Sequence, residues 1–311
     1  MKLFMPVFKI NNLKLSEVKN IPFSLEKELQ NITEKNLDNI FNLEFVSSEF
    51  KLNNFRIDTV AFDRETNSFV IIEYKKDRNY SVIDQGYSYL SLMLNNKADF
   101  VLEYNEKTNH SLKKKKDIDW SQSKVLFISS AFTPYQRNAI GFKDLPIEIW
   151  EVKKYDNGTI FYNQLKPLEA RESIKTISKN KTVEKVNKEI KEYSFDDIFK
   201  KDWRKPKKLF DTLREDILEI DERIEEKINK FYIGYKIGFF NICTIHAFKS
   251  KLAIELVRVD KEDLKDPENK IERVLWKKYK WGKFCSYTIK NSDEIEYGLF
   301  LIKQVYEKFY K

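Results

Sequence analysis

Apolar positions along the first half of the chain change period several times. From Ser24 to Phe41, Leu25, Leu29, Ile32, Leu37, Ile40 and Phe41 recur at helical spacing, and Ser24 with Lys27 and Glu28 reads as a helix start. Three strand-like runs follow, Leu43 to Phe50, Phe55 to Asp63 and Ser68 to Lys76. A second helix is expected from Ser81, whose hydroxyl is placed to cap it with Asp84 three residues on, to about Asn95. Asp99 to Tyr104 and Lys124 to Ser129 read as strands, and Pro134 to Ile140 as a short helix. Ile147 to Tyr155 and Thr159 to Asn163 read as a hairpin turning at Asn157-Gly158. The pattern predicts a mixed sheet with flanking helices.

The second half opens with Leu209, Phe210, Leu213, Ile217, Leu218, Ile220 and Ile224 at helical spacing. Strand-like runs Phe239 to Ala247 and Lys251 to Val259 come next, and a final helix is expected over Asp293 to Phe309. This is an α+β pattern. Between the halves, residues 166–205 are rich in Ser, Thr, Lys and Glu and poor in apolar side chains, as in a charged helical linker. The expected organisation is therefore a first domain over 1–165, the linker over 166–205, and an α+β domain over 206–311.

Composition narrows the class. With 41% hydrophobic and 34% charged residues, and 7 Gly and 7 Pro in 311, the chain can fill cores and is neither fibrous nor low-complexity. No apolar run is long enough to span a bilayer, and the first residues carry Lys2 and Lys9 without a cleavable apolar stretch, so a cytoplasmic location is expected. Cys243 and Cys285 stand in no metal-type spacing and read as small buried hydrophobes. The net charge of +8 is uneven, because residues 1–165 hold 23 basic against 22 acidic side chains and 166–311 hold 34 against 27. A basic surplus permits an acidic partner without proving one.

The chemistry concentrates in Arg56-Ile57-Asp58 and in Phe69-Val70-Ile71-Ile72-Glu73-Tyr74-Lys75. Strand side chains alternate, so Phe69, Ile71, Glu73 and Lys75 share one face and two charges extend an apolar row. The turn Arg64-Glu65-Thr66-Asn67 centres a symmetric hairpin that pairs positions summing to 131, which sets Asp58 opposite Glu73. Like charges so placed repel unless a positive charge lies between them. A divalent cation with oxygen ligands, Mg²⁺ or Mn²⁺, suits that place, and Lys75 adds a second positive charge beside it. The combination fits phosphodiester hydrolysis.

Asp58 with Glu73-Tyr74-Lys75 resembles the signature of the PD-(D/E)XK nuclease superfamily, with Ile57 where the pattern has Pro. The resemblance implies an α/β restriction-endonuclease-like core, Mg²⁺ or Mn²⁺ held by Asp58 and Glu73, and hydrolysis of nucleic acid, usually DNA, in a defence or repair setting. Gln85 and Tyr89 stand at i and i+4 on the next helix and look like the Gln-x-x-x-Tyr feature of the archaeal mismatch-endonuclease-like branch. Gln85 would reach the site, and Tyr89 the nucleic acid. The first helix often supplies another acid in this family. Glu34 is favoured over Glu28, and Glu49 is a further candidate with a structural reading beside it.

Each residue has a plainer reading. An isolated Glu-x-Lys is ordinarily a solvated strand face, and Gln85 with Tyr89 an ordinary helix pair. The basic run with Lys113 and Lys114, and the stretch Trp276-Lys277-Lys278-Tyr279-Lys280-Trp281 that interleaves rings with cations, are candidate nucleic-acid contacts or exposed surface. His110 and His246 have no partner at ligand spacing. Residues 209–306 resemble an uncharacterised domain sometimes labelled "predicted transport protein", a label without physical support here. The expected associations are nucleic acid, no membrane, and a homodimer. The alternative is a catalytically inert nuclease-fold module that binds nucleic acid or a protein partner.

Overall fold

The structure, a computed structural model, describes residues 6–75, 81–112, 118–142, 144–166, 172–174, 180–273 and 284–311. Two compact units divide it, Met1–Lys191 and Glu192–Lys311. The break falls inside the segment 166–205. The expected nucleic-acid contacts Lys113, Lys114, Lys277, Lys278 and Lys280 lie outside the described residues.

The first unit begins with a hairpin of β1 (Val7–Asn11) and β2 (Lys14–Val18), followed by β3 (Asn20–Ile21), α1 (Glu26–Glu34) and α2 (Leu37–Phe41). The expected single helix over 24–41 is thus two, because Lys35 and Asn36 close α1. Then come β4 (Glu44–Leu52), β5 (Phe55–Asp63), β6 (Ser68–Lys75), α3 (Val82–Asn95), α4 (Lys97–Lys107), β7 (Lys124–Ser129), α5 (Pro134–Ala139), β8 (Ile147–Tyr155), β9 (Ile160–Gln164) and α6 (Lys181–Glu189). Ser81 Oγ caps α3 by accepting from the Asp84 amide at 3.2 Å. The expected strand at Asp99–Tyr104 is instead part of α4. Phe100 and Tyr104, four apart, are its buried face, and aromatic content had hidden that helical spacing.

One mixed sheet runs β3-β8-β7-β6-β5-β4, with β9 also on β8. Strands β6, β7 and β8 are parallel, while β4, β5 and β6 form an antiparallel meander. The near-continuous apolar runs of β6 and β7 match burial on both faces. Helix α3 covers the face with Phe127 and Ile147. It approaches so closely at Gly86 that a Cβ there would lie 2.4 Å from Ile147 Cδ1. On the opposite face, Glu34 of α1 meets Thr59 of β5. Helix α6 packs on α3 and buries Val183 and Val186 in the first core.

The second unit comprises α7 (Phe195–Ile198), α8 (Arg204–Leu218), β10 (Glu225–Ile228), β11 (Ile233–Ile237), β12 (Phe240–Phe248), β13 (Lys251–Val257), β14 (Glu272–Arg273), β15 (Phe284–Ile289) and α9 (Ile295–Tyr310). Its antiparallel sheet runs β10-β11-β12-β13-β15-β14, and α8 and α9 pack against it. Helix α8 stops at Leu218 rather than near Ile224, because Asp221 Oδ1 accepts from the Arg223 amide at 2.8 Å and turns the chain into β10. Cys243 and Cys285 are free and buried, as their spacing suggested.

Candidate acidic site on the mixed sheet

The β5–β6 hairpin has the register expected from its turn. Phe62 pairs with Phe69, Val60 with Ile71 and Thr59 with Ile72, so every pair sums to 131. The ladder then stops, one step before Asp58 and Glu73. Instead of completing it, the Asp58 side chain accepts the Tyr74 backbone N–H through Oδ2 at 3.0 Å.

The ladder on the other side of β5 is interrupted at the same place. Ser48 pairs with Thr59 and Phe50 with Ile57, while Glu49 and Asp58 between them are unpaired. Glu49 adopts a left-handed backbone with φ 56°, uncommon for a residue with a Cβ. The Asp58 carbonyl takes its hydrogen bond from Gln30 Nε2 of α1 at 3.0 Å. Ile57 joins the same core as Val60 and Phe62, and the Phe55 ring lies against Tyr89 with centroids 6.5 Å apart. Strict two-residue alternation therefore breaks at Asp58, which sits at a seam in the sheet.

On β6 the row runs as expected. Phe69 and Ile71 are fully buried, and Glu73 follows them at 4% exposure. Glu73 Oε1 accepts from Lys75 Nζ at 2.6 Å and from Gln85 Nε2 at 3.1 Å. Gln85 Nε2 also donates to the Tyr89 hydroxyl at 3.3 Å, so the i,i+4 pair on α3 closes over the carboxylate. Glu73 Oε2 is buried with no hydrogen-bond partner. A carboxylate oxygen left so is costly unless something positive meets it.

Electrostatics single out the same point. Burial, and then the neighbouring Glu73, push the Asp58 carboxyl up to about 6, against the pull of the Tyr74 amide and Lys75. Burial and the Glu73 charge also raise Tyr89, so its hydroxyl keeps its proton throughout the neutral range. Glu49 is held below the usual carboxylate range, chiefly by the Lys27 hydrogen bond. Two acids, one reluctant to ionise and the other with an orphaned oxygen, form a donor set that suits a hard divalent cation such as Mg²⁺. Among the described residues no group of three or more His, Cys, Asp or Glu converges as a metal cluster.

The remaining acids take other places. Glu34 Oε1 accepts from Thr59 Oγ1 at 2.6 Å and from Gln30 Nε2 at 2.9 Å, and hydrogen-bonds neither Glu73 nor Lys75. The structure thus gathers Asp58, Glu73, Lys75, Gln85 and Tyr89, and leaves Glu34 to one side. Glu28 pairs with Lys154 and with Ser24, and that pairing holds it down at about 2. The residue missed by the sequence reading is Gln30. It is 4% exposed and links α1 to the Asp58 carbonyl and, at 3.3 Å, to Glu49. Its signal was a polar side chain on the buried stripe of α1 between Leu29 and Thr33. His110 Nε2 lies 3.7 Å from Glu44 and His246 Nε2 3.2 Å from Glu255.

Among the described residues, no helix is long and apolar enough to cross a membrane. No family model matches the chain. Among solved structures, it aligns with an EndoMS–double-stranded DNA complex at 13% identity over 42% of this chain and 47% of that one, with a TM-score of 0.29. A repair endonuclease from Pyrococcus abyssi aligns at 13% over 42% and 48%, with a TM-score of 0.24. The SfsA protein of Pyrococcus furiosus in complex with Ca²⁺ aligns at 15% over 45% and 62%, with a TM-score of 0.24. The alignments span less than two thirds of each of those chains. A protein of Haemophilus influenzae, described as uncharacterized, is 42% identical over 302 residues, covering 96% of this chain and 99% of its own. The chain belongs to the family of that Haemophilus influenzae protein.

Proposed function

We propose that the chain is a metal-dependent nuclease of the PD-(D/E)XK type that hydrolyses phosphodiester bonds in DNA, in a defence or repair role. One observation carries this reading: Glu73 offers a buried, unpartnered carboxylate oxygen beside Asp58, while Lys75 and Gln85 hold its other oxygen. Asp58 and Glu73 would hold Mg²⁺ or Mn²⁺. When bound, that ion supplies an acidified water and positive charge against the phosphate.

The chain's own groups do the rest. The Tyr74 amide orients the Asp58 carboxylate, and Gln30 fixes the backbone from which it projects. Lys75 lies at the end of β6, two residues beyond Glu73, and brings an ammonium to the place where negative charge gathers on the phosphate. Gln85 is a positioning residue that sets the rotamer of Glu73, and the protonated Tyr89 hydroxyl closes the wall behind it. Glu34 acts on β5 through Thr59, away from the reacting atoms. The second unit contributes no such cluster among its described residues.

Purified protein incubated with circular, linear and single-stranded DNA in Mg²⁺, Mn²⁺ or EDTA tests the reading, beside Asp58→Ala and Lys75→Ala. Metal-dependent cutting that both substitutions abolish is expected. Cutting that survives EDTA or either substitution sinks the mechanism. DNA binding without cutting under any metal marks the inert-module alternative.

A further inference from the structure

Two arginines stand to either side of the acidic pair at one end of the sheet, on opposite faces: Arg56 on the face of α1, where Glu49 also meets Lys27, and Arg137 on the face of Lys75. In sheet order β8-β7-β6-β5-β4, Glu73 and Lys75 occupy the central strand of the five. On one side, Arg56 precedes Asp58 by two residues on β5, and its Nε lies 2.9 Å from Glu49 Oε2 of β4. Glu49 Oε1 holds Lys27 Nζ at 2.9 Å. On the other side, Lys75 pairs with Ser129, and Ser129 with Glu151 of β8, which places Glu151 on the face of Lys75. Glu151 binds Arg137 of α5 through Oε2, and its Oε1 lies 3.5 Å from Lys153.

Each trio has two cations against one carboxylate and keeps a net positive charge. Neither arginine is used up. Arg56 is 64% exposed and Arg137 45% exposed. A guanidinium carries five N–H donors. The bonds from Arg137 to Glu151 and, through Nε, to the Phe132 carbonyl at 3.3 Å leave others open, and Arg56 spends less still. A preorganised guanidinium with open donors is suited to phosphate oxygens, which it meets in a fork. The left-handed backbone of Glu49 fits this picture, since backbone strain persists where the surroundings fix it.

We propose that Arg56 and Arg137 are phosphate-holding arms on either side of the Asp58–Glu73 pair, positioned by Glu49 and Glu151, so that one nucleic-acid strand lies across the strand ends from β8 to β4. The proposal rests on the nuclease reading for its substrate, but it concerns binding and is tested without cleavage. Strands in a sheet are about 4.8 Å apart, so the path from Glu151 to Glu49 covers about 19 Å and holds several phosphates. Glu49 thereby gains a role as the anchor of Arg56.

The test is fluorescence anisotropy of a labelled single-stranded oligonucleotide in EDTA across a salt series. Wild type is compared with Arg56→Ala, Arg137→Ala, the double variant, and Lys249→Ala as an exposed charge-loss control in the second unit. Each arm removed should weaken binding severalfold and lower the slope of log affinity against log salt by about 0.7, with about twice that for the double variant. Glu49→Gln supplies a sign test. Losing a negative charge tightens binding if only net charge matters, and weakens it if Glu49 aims Arg56.

The arms are overturned if both single variants behave like Lys249→Ala, if Glu49→Gln binds more tightly, or if wild type binds no oligonucleotide. The nuclease reading fails separately, on the digestion assay. Weakened binding in the arm variants with no cutting by wild type keeps the arms and discards the nuclease, and unchanged binding with metal-dependent cutting does the reverse.

Discussion

The two units treat their acidic side chains differently. In the second unit the carboxylates are surrounded by donors. Asp221 accepts from Arg223 and Tyr306 and is held well below the usual carboxylate range by those bonds. Asp266 accepts from the Tyr297 hydroxyl at 2.6 Å and from the Lys270 and Ile271 amides at 2.9 Å, and these bonds outweigh burial and lower it. Arg214 and the Tyr235 hydroxyl close on Glu226. In the first unit Asp58 is raised to about 6 and Glu73 keeps an orphaned oxygen. A fully hydrogen-bonded carboxylate stabilises a fold, whereas a buried acid with one orphaned oxygen, beside a second acid that it pushes up, lowers the stability of the fold that holds them.

The largest effect expected from breaking this contrast is on chemistry. Asp58→Ala, Glu73→Ala or Lys75→Ala should lower the cleavage rate by on the order of 10²–10³ or more, measured on linear DNA in Mg²⁺. Acid substitutions in the second unit, such as Asp221→Asn, should leave the chemical step alone in single-turnover measurements.

Next come two close-approach glycines, Gly86 in the first unit and Gly298 in the second. Gly86→Ala would press a Cβ against Ile147 at 2.4 Å, and Gly298→Ala would meet Ile254 at 2.8 Å. Each should cost roughly 1–3 kcal/mol by denaturant unfolding. Only Gly86 neighbours Gln85, so only its substitution should also slow single-turnover cutting of the folded fraction.

Asp58→Asn should raise the stability of metal-free protein at pH 7 by roughly 1–3 kcal/mol while abolishing cleavage. Folded Asp58 keeps its proton up to about 6, whereas the ordinary value is 3.8, so the folded state binds more protons between them. The stability of the metal-free wild type therefore falls as pH rises through that window, and the Asn variant lacks that fall. Added Mg²⁺ should stabilise wild type more than Asp58→Asn. Thermal midpoints with and without metal read both, and a destabilised Asn variant would count against the strained pair.

The smallest change is expected at Asp266, where the sign reverses. Asp266→Asn should destabilise by about 1 kcal/mol or less in denaturant titrations at neutral pH. Its contribution is present above 3.8, the ordinary value, and is lost as pH falls through the lowered folded value.

The sequence alone determined the hairpin and its consequences. The turn at residues 64–67 fixes the 131 register, side-chain alternation then aligns Glu73 with Lys75, and the i,i+4 rule joins Gln85 to Tyr89. These are local rules acting within one element or between neighbours. The tertiary structure decided what depends on partners distant along the chain. It made Asp99–Tyr104 helical, because Phe100 and Tyr104 had a core to bury against. It turned Glu34 toward Thr59 and put Gln30 beneath Asp58. It interrupted β5 on both sides at one residue, since Tyr74, Glu49 and α1 converge there from separate segments. Periodicity records which face a residue prefers, but not where two ladders fail together, and that failure is what gives Asp58 its place.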